Sequence, residues 1–278
     1  MSIPTLTAEE MAKLEEQAVP LGPRVDGPPP IKVAICLPTH DMVPATFMYD
    51  LAQMVGFTGA TIVADEVSDL ALNMVQATII QAGREELAQQ ALETGCTHLL
   101  WCDTDHRFPK DSLVRLLSHN RDIIGINYCT RRMPPDYVAF SEINTETRMT
   151  KKLVTTGEEE GFQEAAAIGF GLVMVKADVF WNMEKPWFDF TWIGPGADWS
   201  GEDVHFCTKA RELGYKILVD PQLSVECSHT GQFQYKLDHA ATILEAKRDA
   251  LVEEKENGAD IVLGPTVDSV DLVESDGS

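Results

Sequence analysis

Apolar residues fall along this chain in two alternating rhythms. Short continuous apolar runs, KVAICLP (32–38), ATIVADE (60–66), THLLWC (97–102), DIIGINYC (122–129) and YKILVD (215–220), have the length expected of buried strands. Between them, ATFMYDLAQMVGF (45–57), REELAQQALETG (84–95), KDSLVRLLSHN (110–120) and residues 204–213 are rich in helix formers, and Gly95 supplies a stop signal. Strand and helix in alternation predict an α/β fold whose parallel sheet carries helices on both faces. After Cys129 the rhythm shortens to β-like pieces, YVAFSEI (137–143), KKLVTTG (151–157) and AAAIGFGLVMV (165–175).

The flanks read differently. Thr7 and Glu10 have capping-box spacing, so residues 7–18 are predicted as a short helix, and PLGPRVDGPPP (20–30) is a Pro/Gly linker. This divides the chain into an N-terminal helix and linker (1–30), a folded body (31–248) and an acidic tail (249–278).

One apolar run breaks abruptly into carboxylates. THLLWCDTDHRFP places Asp103 and Asp105 one residue apart at the end of a predicted buried strand, the sheet edge beyond which ligands sit in doubly wound folds. A plain turn accounts for Asp at a strand end. In an extended segment, however, alternate residues point the same way, and both carboxylates can then converge on one hard cation.

Charge sharpens that reading. The chain of 278 residues has 22 Lys and Arg against 44 Asp and Glu, a formal net charge of −22. Nine acids and one lysine lie from Asp249 onward, a local charge of −8 that leaves −14 on the rest. An acidic body opposes non-specific attraction to nucleic acid and anionic membrane. A polyanionic ligand therefore needs a bound cation or a local basic patch. The N-terminus is acidic and has no apolar core of a signal peptide, and the longest apolar run (165–175) is far short of the roughly 20 residues that span a bilayer. A soluble, cytoplasmic protein with no membrane partner is expected. The six cysteines show no CxxC pair and are expected to be reduced thiols.

With these residues in place, the chain from about Val33 to Gly231 resembles the GT-A glycosyltransferases of the family-2-like group. The pattern RxxLAxxALxxGxTHLLWxDxDxxFP, from Arg84 to Pro109, carries the resemblance. It implies a GT-A fold: a Rossmann-like nucleotide-binding half with a mixed central sheet, and an acceptor-side half in the same domain. It also implies a nucleoside-diphosphate sugar donor, in the first instance a UDP-sugar, held with Mn²⁺ or Mg²⁺. By this resemblance Asp105 ligates the metal, Asp103 contacts the ribose or a metal-bound water, and His229 completes the metal shell. His106 is expected in a supporting or surface role. Pro38, Thr39 and Asp41 begin the loop that cradles base and ribose, although a strand-to-helix turn accounts for them equally. Arg84 matches a family arginine near the diphosphate, or is a solvated helix charge.

WSGEDVHFCTKARELGYKI (199–217) reads as a helix N-terminus with Ser200 as cap and Asp203 three residues on. The resemblance makes Asp203, kept ionised by the helix N-terminus, the general base of an inverting transfer, with Glu202 touching the acceptor or a sugar hydroxyl. Gly169 and Gly171 resemble a family segment lining the sugar pocket, where a missing Cβ lets a sugar approach the backbone. Trp187, Trp192 and Trp199 mark a binding loop that can gate the donor, each with core packing as the plain alternative. Small stand-alone enzymes of this kind resemble those of bacteriophages, some of which glycosylate hydroxymethylated pyrimidines. A 5-hydroxymethylpyrimidine in DNA is thus the leading acceptor, with Arg131-Arg132 and Lys151-Lys152 as a basic edge, and saccharides or proteins as alternatives. A nucleotide-sugar hydrolase or pyrophosphorylase and a carbohydrate-binding module remain the readings from other classes.

Overall fold

The computed structural model describes residues 30–62, 67–132, 134–144, 149–194 and 198–231. The helix predicted at 7–18, the linker and the acidic tail lie outside the described residues. In chain order the elements are β1 Ile31–Thr39, α1 Ala45–Ile62, β2 Val67–Gln76, α2 Ile80–Glu93, β3 His98–Cys102, β4 His106–Arg107, α3 Ser112–Ser118, β5 Ile123–Gly125, β6 Phe140–Ile143 and β7 Thr150–Lys152. There follow β8 Gln163–Ala165, β9 Leu172–Lys176, α4 Ala177–Asn182, β10 Thr191–Gly194, β11 Asp198–Ser200, α5 Glu202–Glu212, β12 Ile217–Val219, α6 Pro221–Glu226 and β13 Ser228–His229.

Seven strands form one sheet in the order β2-β1-β3-β9-β5-β12-β8. β1 pairs parallel with β2 and β3, and β5 pairs parallel with β12. β9 runs antiparallel between β3 and β5, and β8 antiparallel to β12. The fold is a mixed α/β arrangement around this sheet: the parallel alternation holds for β2, β1 and β3 and for β5 with β12, and antiparallel β9 and β8 make the sheet mixed, as the resemblance implied.

Burial on both faces explains the continuous apolar runs. Alternate residues of β1 serve two separate cores: Ala34 and Cys36 pack with Leu99, Trp101 and Val173, while Val33, Ile35 and Leu37 pack with Phe47, Leu51, Met54 and Leu100. Removing Trp101 alone would cost roughly 3–5 kcal/mol by analogy with other large-to-small core changes.

The second strand is misplaced by sequence pattern. Residues predicted as strand at 60–66 include the last turn of α1, and β2 begins at Val67. Phe47, Leu51, Met54 and Thr58 keep one buried helical face, which carries the helix through Ile62. β2 sits at the sheet edge with Leu72 and Met74 exposed, so it lacks the uniform burial that a continuous apolar run signals. Among the described residues no helix is long and apolar enough to cross a membrane.

The carboxyl ends of β1, β3 and β5 and the amino end of antiparallel β9 share one sheet edge. Thr39, Asp103, Asn127 and Gly171 therefore emerge together.

Candidate active site

A turn, not an extended segment, separates the two aspartates. The amide of His106 donates to the carbonyl of Asp103 at 3.2 Å, and Asp103 N donates to Gly171 O at 3.0 Å. This corrects the spacing argument, because the turn sends the carboxylates to different partners. Asp103 accepts from Arg84 Nη2 at 3.0 and 3.1 Å. Asp105 instead faces His106 Nδ1 at 3.0 Å and His229 Nε2 at 3.3 Å.

His229 reaches Asp105 through a two-residue ladder. β13 pairs antiparallel with β4, which sets His229 opposite His106, and Thr230 donates its amide (2.7 Å) and its hydroxyl (2.8 Å) to the carbonyl of Asp105. The two imidazoles stack at 4.4 Å with 15° between their planes. His229 Nδ1 lies 2.9 Å from the Cys129 carbonyl and can donate to it, and a cation would then take the lone pair of Nε2 in place of the hydrogen that Nε2 shares with Asp105. Ligand atoms of Asp105, His106 and His229 lie within 4.8 Å of one another. His106 is only 1% exposed, so the expectation of a surface role is corrected, and its Nε2 has no hydrogen-bond partner. One carboxylate and two imidazoles suit a borderline divalent cation better than Mg²⁺, which prefers oxygen ligands. Asp103 stands outside this group.

Burial alone would raise the pKa of Asp105. Hydrogen bonds from His106 and His229 outweigh it and hold this carboxyl well below the usual range. The group stays anionic, with the Arg131 guanidinium as its counter-ion at 2.8 Å.

Arg84 is 3% exposed, with Nε 3.3 Å from Glu202 and its guanidinium over the rings of Phe170 and Trp101. Burial would lower its pKa, but Asp103, Glu202 and Asp203 raise it instead. It is a buried clamp between β3 and α5, and the same contact keeps Glu202, 9% exposed, turned inward.

Asp203 follows on α5. Gly201, not Ser200, is the N-cap and has no side chain to give a cap bond; Asp203 Oδ1, inside the first turn, accepts from the adjacent Val204 amide at 2.7 Å. Burial and the neighbouring Glu202 charge push Asp203 up to about 6, against the opposing pull of Arg84 and the Val204 amide. The helix start is therefore outweighed by desolvation. Asp203 lines a cavity of about 760 Å³ together with Val138, Phe140, Ile143, Lys152 and His205. The ammonium of Lys152 sits 4.0 Å from the Phe140 ring centroid.

The remaining candidates divide. The Thr39 hydroxyl donates to Val75 O at 3.2 Å within the sheet, Pro38 pairs in register with Val75, and Asp41 is exposed on the following loop. Trp187 is core, 4% exposed with its indole N–H donating to Phe180 and Met183 carbonyls. Trp192 is 53% exposed in the β10–β11 ladder, and the Trp199 side chain lies outside the described residues. Within the expected basic edge Lys151 pairs with Glu142 and Arg131 with Asp105, while burial and the nearby Arg132 charge lower the pKa of Lys152.

Gly169 and Gly171 make room for protein rather than for open space. A Cβ on Gly169 would fall 2.1 Å from the Tyr128 hydroxyl, and one on Gly171 would fall 2.3 Å from His106 Nε2. Gly171→Ala is expected to displace His106, cost about 1–3 kcal/mol of stability and weaken Mn²⁺ binding, as melting curves and metal titration would report.

Sequence reasoning gave no role to Asn127, 3% exposed, which fixes the loop after β5 by donating to Leu153 O and Thr155 Oγ1 and accepting from the amides of Tyr128 and Ala139. The one signal was a polar residue directly after an apolar strand.

No protein-family model and no curated protein matches the chain. Among solved structures, A197 from STIV is similar, with a TM-score of 0.46 and 11% identity, over 74% of this chain and 97% of that one. A likeness of that size assigns neither family nor activity.

Proposed function

We propose that the protein is a metal-dependent glycosyltransferase of the GT-A kind, which moves a sugar from a nucleoside-diphosphate donor, a UDP-sugar in the first instance, to an acceptor hydroxyl with inversion. The observation that carries this is a metal-capable group, Asp105, His106 and His229, carried on the segment after β3 and on β13, together with a carboxyl at the start of α5 that is raised to about 6 on the wall of a cavity. A general base works best with a pKa near the operating pH.

Asp105 and His229, with His106 beside them, would hold Mn²⁺ or Mg²⁺, with Mn²⁺ the better fit to the imidazoles. When bound, the cation stabilises the negative charge that grows on the departing diphosphate. Asp203 takes the acceptor proton as its oxygen attacks the anomeric carbon. Arg84 holds Asp103 and Glu202 in place from below. Asp103 remains the candidate for a ribose or metal-bound water contact.

The acceptor cavity has an apolar wall of Val138, Phe140 and Ile143 with Lys152 at its edge. This lining suits a planar group flanked by negative charge better than a bare saccharide, which supports a hydroxymethylated pyrimidine in DNA. Incubation with radiolabelled UDP-sugars and Mn²⁺ tests it. Label entering hydroxymethylcytosine DNA but not unmodified DNA is expected, whereas label entering neither would remove this acceptor.

A further inference from the structure

Asp105 carries one partner that competes with a divalent cation for its charge. Arg131 Nη1 donates to Asp105 Oδ2 at 2.8 Å, on the same oxygen that lies 3.3 Å from His229 Nε2. Oδ1 faces His106. A dication ligated by Asp105 and His229 would meet a guanidinium already on the shared oxygen. Like charges sharing one oxygen repel, so a cation and the ion pair compete for Asp105.

Arg131 is free to leave. Its side chain is 51% exposed, while the loop that bears it is fixed on either side. The Cys129 carbonyl faces His229 Nδ1 at 2.9 Å, and Thr130 N donates to Asp136 O at 2.8 Å. The tip can swing without moving its root. Arg84, the arginine that resemblance places at the diphosphate, is 3% exposed and clamped by Asp103 and Glu202. Its buried guanidinium does not reach outward.

We propose that Arg131 is a diphosphate-binding residue, held on Asp105 until a divalent cation displaces it and then turned onto the phosphate oxygens beside that cation. The inference rests on the glycosyltransferase reading above. A guanidinium fork matches phosphate oxygens in pairs, and a chain of net charge −22 needs local positive charge to hold a diphosphate. Before the cation arrives, the same guanidinium neutralises Asp105.

The test uses the full chain with Arg131→Ala and Arg131→Lys, titrated with Mn²⁺ alone by electron paramagnetic resonance, then with UDP and UMP at saturating Mn²⁺ by calorimetry. In Arg131→Ala, Mn²⁺ alone should bind about 2- to 5-fold more tightly, because an exposed ion pair no longer competes. UDP should bind roughly 10- to 100-fold more weakly, the loss of charge-assisted hydrogen bonds, and UMP should change less. Arg131→Lys should fall between. A merely structural role would move both affinities the same way. Unchanged or weaker Mn²⁺ binding overturns the displacement, and unchanged UDP binding overturns the phosphate contact. A wild type that binds both probes while Arg131→Ala matches it refutes Arg131 alone. A wild type that binds neither refutes the glycosyltransferase reading and Arg131 with it.

Discussion

Replacing Asp203 by Asn is expected to lower kcat by about 10²- to 10⁴-fold, the usual contribution of a positioned base, and to leave KM nearly unchanged. Asn keeps the shape and the acceptor oxygen for the Val204 amide, but cannot take a proton. In the wild type kcat should fall about tenfold per pH unit below the raised value of about 6, since the protonated carboxyl is inactive, and the variant should lose that limb. Stability moves the other way. A carboxyl raised on folding binds its proton more tightly in the native state, so its share of stability is full below the unfolded pKa near 4 and is lost as pH rises through about 6. Asp203→Asn should therefore melt no lower than wild type at neutral pH. A large loss of activity in a protein of undiminished melting temperature separates a chemical role from a structural one.

The second large effect belongs to Asp105. Both of its oxygens face nitrogen ligands, at 3.0 Å from His106 and 3.3 Å from His229, and no other carboxylate belongs to the metal-capable group among the described residues. Asp105→Ala removes the only anionic ligand and leaves two stacked imidazoles. Mn²⁺ affinity by paramagnetic resonance is expected to fall by at least 10²-fold, with turnover lost in parallel. Retained affinity would place the cation elsewhere. Asp103→Ala offers the contrast: it should strip a partner from buried Arg84, lowering stability by about 3–5 kcal/mol, with a smaller direct effect on Mn²⁺.

The sequence displayed what continuous burial writes into it. THLLWC and KVAICLP are apolar because both faces of their strands are covered, and β3 and β1 coincide with those runs to within a residue at each end. Gly95 stops α2 with φ of +72°, as a helix stop requires. What stayed hidden depends on contacts distant in sequence. The two-residue strand that brings His229 to His106 has no periodicity to read, and the burial of His106 follows from a glycine 65 positions away. Edge strand β2 escaped because its exposed Leu72 and Met74 break the link between apolarity and burial. The Asp103 turn escaped because spacing alone cannot tell an extended segment from a turn.

Thermal unfolding with a panel of nucleoside diphosphates, each with and without Mn²⁺, on wild type and Asp105→Ala, reports whether a diphosphate binds through a cation on Asp105. Ligand at a hundred times its dissociation constant adds about 2.7 kcal/mol, or roughly 5–11 °C for a chain of this size. A shift with UDP is expected only when Mn²⁺ is present, and none in Asp105→Ala. A shift independent of metal, or no shift with any nucleotide, would contradict binding through that cation.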